Sequence, residues 1–276
     1  MKRPGPILVT ELFPDLEAHL LDLLRSLGPA EWDAPTACQL WTVKDLAAHL
    51  LDSALRRLSM ARDGYFSVAA PVSPAELAAW IDRANAEWVG AARRLSPRML
   101  IELLSVAGRE LYDYFRTLES DAPAPLAVSW AGQESSPNWF DIAREYTERW
   151  HHQQQIREAT GRPGIDTPKL MFPVLDTFMR ALPYTYRGLA ASDGTLVRVE
   201  VCGPAGGNWY LLRTRSQWEL WLEAAEAPHA TVSMPQEIAW KLPTKGVGQA
   251  QAERLIRLEG DQELGRGILE LRCIVG

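Results

Sequence analysis

Along residues 11–27, Leu12, Leu16, His19, Leu20, Leu23 and Leu24 recur at helical spacing, which predicts an amphipathic helix. Gly28, Pro29 and Pro35 interrupt the pattern over 26–39 and predict a loop. Thr42-Val43-Lys44-Asp45 then sets a capping hydroxyl three residues ahead of an acid, a variant of the capping box, and opens a second helix that runs to about Asp63. Pro71 and Ser73-Pro74-Ala75-Glu76 mark the next loop and the start of a third helix, to about Arg94; Ser96-Pro97 opens a fourth, to about Leu118. Pro123, Pro125 and Pro137 make 120–138 irregular, a crossover rather than a tight hairpin. A long helix follows over 138–160 and stops at Gly161-Arg162-Pro163-Gly164. Several long amphipathic helices in succession predict a helix bundle.

The pattern changes near residue 165. One more helix fits 168–182, and then Thr195-Leu196-Val197-Arg198-Val199-Glu200-Val201 alternates as a strand does. Gly203-Pro204-Ala205-Gly206-Gly207 is a turn, and 208–214, 217–222 and 229–234 continue as strands. A short helix at 235–242, a strand at 255–259 and a final helix at 261–273 complete the pattern. Consecutive strands with helices set around them predict an α+β layer. The fold class is therefore two-domain α+β, a helix bundle over 1–165 followed by a small α+β domain over 166–276.

Composition narrows this picture in a few places. Apolar residues at 47% with 23% charged are ordinary for a globular chain and exclude disorder. A net charge of -6, from 29 basic and 35 acidic residues, argues against a nucleic-acid-coating role. No stretch reaches the ~20 apolar residues of a membrane span, and the N-terminus lacks the apolar run of a signal peptide. Cys38, Cys202 and Cys273 are odd in number and far apart, which fits a reducing, cytoplasmic setting without a disulfide framework. Eleven Trp imply large apolar cores, and Trp209, Trp218, Trp221 and Trp240 are expected there.

Candidate chemistry lies with the histidines. Asp141, Glu145, Glu148, His152 and Gln155 form one stripe on the long helix. Glu148 and His152 stand one turn apart, so their heads can converge on a divalent metal. A solvated polar face carrying an ordinary Glu–His pair accounts for the same spacing. His49 lies on the second helix beside Leu46, Leu50 and Ser53, where a satisfied core histidine is the alternative. One His from one helix and Glu-x3-His from another would give three ligands and leave one position open, the arrangement of a catalytic zinc site. His19 and His229 read as structural or exposed.

Residues 36–52 (TACQLWTVKDLAAHLLD) and 145–164 (EYTERWHHQQQIREATGRPG) resemble the two signature segments of the DinB-like helix bundle, in the branch typified by mycothiol-dependent maleylpyruvate isomerase. The matching residues are Trp41, Thr42, Asp45 and His49, then Glu148, His152, Ile156 and Arg157. The C-terminal stretch HATVSMPQEIAWKLPTKG, with LIRLEGDQELGRGILEL, resembles the small sterol-carrier-like α+β domain that follows the bundle in this branch. The resemblance implies a four-helix bundle and a divalent metal on His49, Glu148 and His152. Zinc is the implied ion, with nickel an alternative in purified protein. It also implies a low-molecular-weight thiol cofactor bound by that metal. Such a thiolate would act in cis–trans isomerisation or S-transfer. The family's Asp after the second His is here Gln155, which can orient the ligand without supplying charge. His151 would replace His152 if the register slipped, but His152 keeps the spacing. Glu145 is the candidate base or ligand-supporting carboxylate.

Two further classes stay open: a metal-dependent hydrolase with bound water in the open position, and a non-catalytic metal-binding or stress-response protein. Cys38 reads as a small hydrophobe, since no His or base is placed beside it by spacing. Arg198, Arg213, Arg215, Arg254 and Arg257 offer anion contacts for an acidic small-molecule substrate, or are surface arginines. No nucleic-acid or membrane partner is expected, and Leu- and Trp-rich faces leave a homodimer open.

Overall fold

The computed structural model of the chain describes residues 2–65 and 74–274. They form two units. One comprises Leu8–Leu126 and Pro137–Ile165; the other comprises Ala127–Ser136 and Asp166–Ile274, together with the residues up to Ile7. Sequence periodicity assigned those last residues and the 127–136 stretch to the first domain. The structure groups them with the second unit because their partners are there: Leu222 N–H donates to Lys2 O, Arg180 to Gly5 O, and Gly132 lies against the Tyr184 ring.

The first unit is helical: α1 Phe13–Arg25, α2 Val43–Arg57, α3 Pro74–Ala92, α4 Pro97–Arg116 and α5 Asn138–Ala159. The signals at Pro71 and Ser73 for the start of α3 lie outside the described residues. A single π-helical turn, Leu58–Arg62, extends α2 to nearly the predicted end. α1 buries Phe13, Leu16, Leu20, Leu23 and Leu24, while His19 faces out. α4 buries Leu100, Leu104, Ala107, Leu111 and Phe115, spaced by threes and fours as one helical face requires. Phe13 meets Phe115 edge-on at 5.1 Å and Tyr146 of α5 at 5.7 Å, so three helices share one aromatic contact.

α2 begins where the sequence places its cap. Thr42 Oγ1 accepts from Asp45 N–H, and Asp45 Oδ2 accepts from Thr42 N–H at 3.1 Å. Asp45 also takes two hydrogen bonds from Arg93, just past the end of α3. Trp88 Nε1 donates to the Ala48 carbonyl, so α3 and α2 are joined again one turn on.

In the second unit α6 Pro168–Met179 and α7 Leu182–Thr185 precede β1 Leu196–Cys202, β2 Gly207–Arg213, β3 Trp218–Trp221 and β4 Ala230–Pro235. Then come α8 Gln236–Lys241, α9 Gln249–Leu255, β5 Arg257–Gly260 and α10 Gln262–Arg266. The sheet order is β3-β2-β1-β4-β5, with β1 and β4 parallel and the other neighbours antiparallel. Val199 sits opposite both Trp209 and Val232, which gives an inward apolar row. Arg198, Glu200, Thr231 and Ser233 alternate onto the other face. The β1–β2 turn requires its glycines: Gly203 has φ +133°, and a Cβ on Gly206 would collide with the Val201 carbonyl.

The unit departs from expectation at three points. α9 has no apolar periodicity in the sequence and was not anticipated. The last helix ends at Arg266, because Gly265 and Gly267 weaken it, and a 3-10 turn over Gly267–Glu270 follows. Trp209, Trp218 and Trp240 are buried as expected, but Trp221 is only half-buried and lies under the Arg3 guanidinium at 4.7 Å. Among the described residues, no helix is long and apolar enough to cross a membrane.

Removing the Thr42 cap leaves the Asp45 N–H without its side-chain acceptor. Thr42→Ala is expected to lower stability by about 1 kcal/mol in urea unfolding, while Thr42→Ser keeps the cap and most of that stability.

Candidate metal centre

α5 is an unusual helix to find in a core. Apart from the half-buried Glu148, its polar stripe is buried rather than solvated: Asp141 is 2% exposed, Glu145 6%, His152 6% and Gln155 3%. Charges in that setting must be paired. Arg57, at the end of α2, makes a two-pronged contact with Asp141 at 2.6 and 2.8 Å and reaches Glu145 at 3.2 Å. Arg144 adds bonds to Asp141 at 2.9 Å and to Glu145 at 2.6 Å. Burial disfavours both carboxylates, but Arg144 and Arg57 outweigh it and hold Asp141 and Glu145 below their usual range. Other buried polar side chains of α5 bond to backbone, as Gln153 Nε2 does to the Leu16 carbonyl of α1. Arg149 reaches Glu17 of α1 at 3.5 Å.

One turn along the same stripe, His49 of α2 meets Glu148 and His152 of α5. One ligand atom from each lies within 4.8 Å of the others. The His49 and His152 rings stand edge to face at 4.9 Å, and Trp41 covers the other side of His49 at 4.9 Å. His152 Nε2 lies 3.4 Å from Glu148 Oε2, while its Nδ1 is 2.8 Å from Gln155 Oε1. The His151 ring lies 4.0 Å from that of His152, and its Nδ1 meets the Thr147 carbonyl of its own helix at 2.8 Å.

Two imidazoles and a carboxylate are a zinc-type donor set. The residues present fit such an ion in another respect too: His49 Nδ1 is buried without a hydrogen-bond partner. The same groups are also coupled electrostatically. Burial would raise the Glu148 carboxyl, but His152, His151 and His49 hold it well below its usual range. Burial, with the His152 charge beside it, pushes His49 down to about 3. His151 falls to about 4 for the same two reasons. His152 goes the other way: burial opposes its charge, yet Cys38 and Glu148 carry it up to about 10. The four groups are thus strongly coupled, with Glu148 the one carboxylate facing three imidazoles.

Two residues have a different environment from the one read in sequence. Glu145 is committed to Arg57 and Arg144, which suits an anchor between helices rather than a proton acceptor. Cys38 is not an isolated small hydrophobe, because its Sγ lies 3.4 Å from Gln155 Oε1 and contacts His152. Spacing could not place Gln155 beside it, since the two are 117 positions apart. Arg56 is a further residue beside the cluster; it pairs with Asp52 at 2.9 Å and Asn85 at 2.8 Å, and its charge bears on His49. Only its position on the His49 helix, two turns on, signals it. Among the five arginines of the C-terminal half, Arg198, Arg215 and Arg257 each pair with an acid of their own unit. His229 is structural, its Nδ1 accepting from Leu196 N–H.

A sequence model of the mycothiol maleylpyruvate isomerase N-terminal domain matches residues 13–157, more than half of the chain. No curated protein matches the chain in sequence. Among solved structures, the mycothiol-dependent maleylpyruvate isomerase aligns with a TM-score of 0.55 at 15% identity, over 91% of each chain, and so does a histidine-to-alanine mutant of it. The sterol carrier protein domain 2 of Helicoverpa armigera aligns with 38% of this chain at 16% identity, covers 80% of its own, and has a TM-score of 0.24, too low to relate the folds.

The arginine–carboxylate network can be tested apart from any ligand. Its contribution is complete above the ordinary carboxylate pKa of about 4 and fades as pH falls below it. Arg57→Met leaves Asp141 and Glu145 short of a counter-charge and is expected to cost about 3–5 kcal/mol near neutral pH. The penalty shrinks as the pH is lowered toward about 4.5, because the stranded carboxyls then take up protons. Urea unfolding of both proteins at the two pH values checks this; an unchanged penalty would contradict it.

Proposed function

The chain belongs to the mycothiol maleylpyruvate isomerase N-terminal domain family, and from that premise we propose that it is a divalent-metal-dependent enzyme that uses a low-molecular-weight thiol. The reaction is cis–trans isomerisation of the maleylpyruvate-isomerase type or an S-transfer, on a small and acidic substrate, in a reducing cytoplasmic setting. The observation that carries the reading is the convergence of His49, Glu148 and His152 donor atoms within 4.8 Å on two packed helices.

In this proposal His49, Glu148 and His152 hold the ion, zinc foremost, and three protein donors leave a four-coordinate ion room for an outside ligand. When bound, zinc stabilises the anion of a coordinated thiol and so supplies a nucleophile near neutral pH. Gln155 Oε1 accepts from His152 Nδ1–H and orients the ring. Glu148 contributes the one negative charge among the donors. Trp41 covers His49 and excludes water from that side. A hydrolase would need a base beside the ion, and the carboxylate read for that role, Glu145, is held by two arginines instead.

Metal analysis of the purified protein tests the site. Wild type is expected to carry about one divalent ion per chain, and His152→Ala and His49→Ala to lose it while staying folded; equal metal in all three would end the proposal. Activity toward a cis-alkene acid is expected only with added small thiol, and to fall by at least about a hundredfold in His152→Ala, as loss of a ligand to an essential ion should give.

A further inference from the structure

Gln155 Oε1 stands between two groups: His152 Nδ1 at 2.8 Å and Cys38 Sγ at 3.4 Å. Gln155 is 3% exposed, so its amide finds its partners in the protein. An amide can turn either end toward an imidazole. With its oxygen inward it accepts from Nδ1–H, and the neutral ring keeps its lone pair on Nε2. With its NH2 inward it donates to Nδ1, and the proton moves to Nε2. Nε2 is the nitrogen on the Glu148 side. Only the first arrangement leaves it able to bind a cation there. A carboxylate in place of Gln155 would have no such choice, since it can only accept.

Cys38 biases the choice. It lies in the loop ahead of α2, and that loop is shaped by Thr36, whose hydroxyl donates to the Trp41 carbonyl at 2.8 Å and accepts from Cys38 N–H at 3.2 Å. The thiol so placed donates S–H to Gln155 Oε1 at 3.4 Å, which favours the oxygen-inward arrangement, because sulfur is only a weak acceptor for the amide NH2 of the other one. We propose that Cys38 is a positioning residue for His152: its thiol fixes the Gln155 amide with the oxygen inward, and the amide in turn holds His152 as the tautomer that presents Nε2. The inference rests on the metal reading above and adds to it a third layer, from thiol to amide to ligand.

The experiment compares zinc affinity, by chelator competition on the full-length protein, in wild type, Cys38→Ala, Cys38→Ser, Gln155→Glu and the double variant Cys38→Ala/Gln155→Glu. Cys38→Ala is expected to weaken zinc binding by about 10–100-fold, the usual cost of losing a group that supports a ligand. Cys38→Ser, whose hydroxyl also donates, restores most of the affinity. In the Gln155→Glu background Cys38→Ala has little effect, because a carboxylate needs no orienting donor. A general loosening of the loop would instead lower affinity equally in both backgrounds and would not be rescued by serine; either result overturns the proposal. Cobalt substitution supplies a second readout without added thiol. A sulfur-to-cobalt charge-transfer band that disappears in Cys38→Ala would put the thiol on the metal itself and also overturn the positioning role. Wild type that binds no zinc would overturn the metal reading and this inference together, whereas normal wild-type binding with an unaffected Cys38→Ala would overturn this inference alone.

Discussion

The structure of the helical unit depends on burying a charged helix. α5 carries Asp141, Arg144, Glu145, Glu148, Arg149 and two adjacent histidines through the middle of the unit, and a buried charge without a partner is strongly destabilising. Arg57 supplies the main solution, with Arg144 completing a closed cluster around two carboxylates. Replacing such a network with leucines of similar volume would cost little stability by itself. What the charges add is register. A two-pronged Arg57–Asp141 contact forms at one relative position of α2 and α5, whereas apolar faces tolerate sliding.

That register delivers the candidate centre. His49 lies two turns before Arg57 on α2, and Glu148 and His152 lie two to three turns after Asp141 on α5, so the ion pairs and the donor cluster are points on the same helix–helix seam. α2 is fixed along its whole length: by the Thr42–Asp45 box and Arg93 at its start, by Trp88 on the Ala48 carbonyl in the middle, and by Arg56 on Asn85 and Arg57 on Asp141 at its end. A ligand set built from two helices needs its donors held to well under a turn, and these contacts hold them.

Local features of this arrangement are written in the sequence and distant ones are not. The capping box at Thr42, the Glu148–His152 spacing and the strand alternation of β1 all follow from residues within a few positions of one another. His152 rather than His151 follows from the same helical geometry. The burial of the stripe does not, because an Asp-Glu-Glu-His-Gln row has the composition of a solvated face. Its partners come from Arg57 and Cys38, 84 and 117 positions away from the residues they touch. α9 escaped for a different reason: Gln249-Ala250-Gln251-Ala252 has helix propensity without an apolar face, and it buries only Ala252.

The surroundings of the cluster bear on how a nucleophile is activated there. Among the described groups near the donors, Glu145 is neutralised by two guanidiniums, His151 is bonded to the Thr147 carbonyl, and Cys38 faces Gln155. These three neighbours therefore each have a structural partner, while Asp52, one turn after His49, pairs with Arg56 and is raised by burial to about 6. A metal held there, as proposed, would remove a proton from a bound thiol by coordination, without a protein acceptor. Thiols suit it better than water, since their ordinary pKa of about 8.5 lies far closer to neutral pH than that of water. The commitment of Glu145 to Arg57 and Arg144, which lets α5 be buried, thus also withdraws that carboxylate from acting as a free base at the candidate centre.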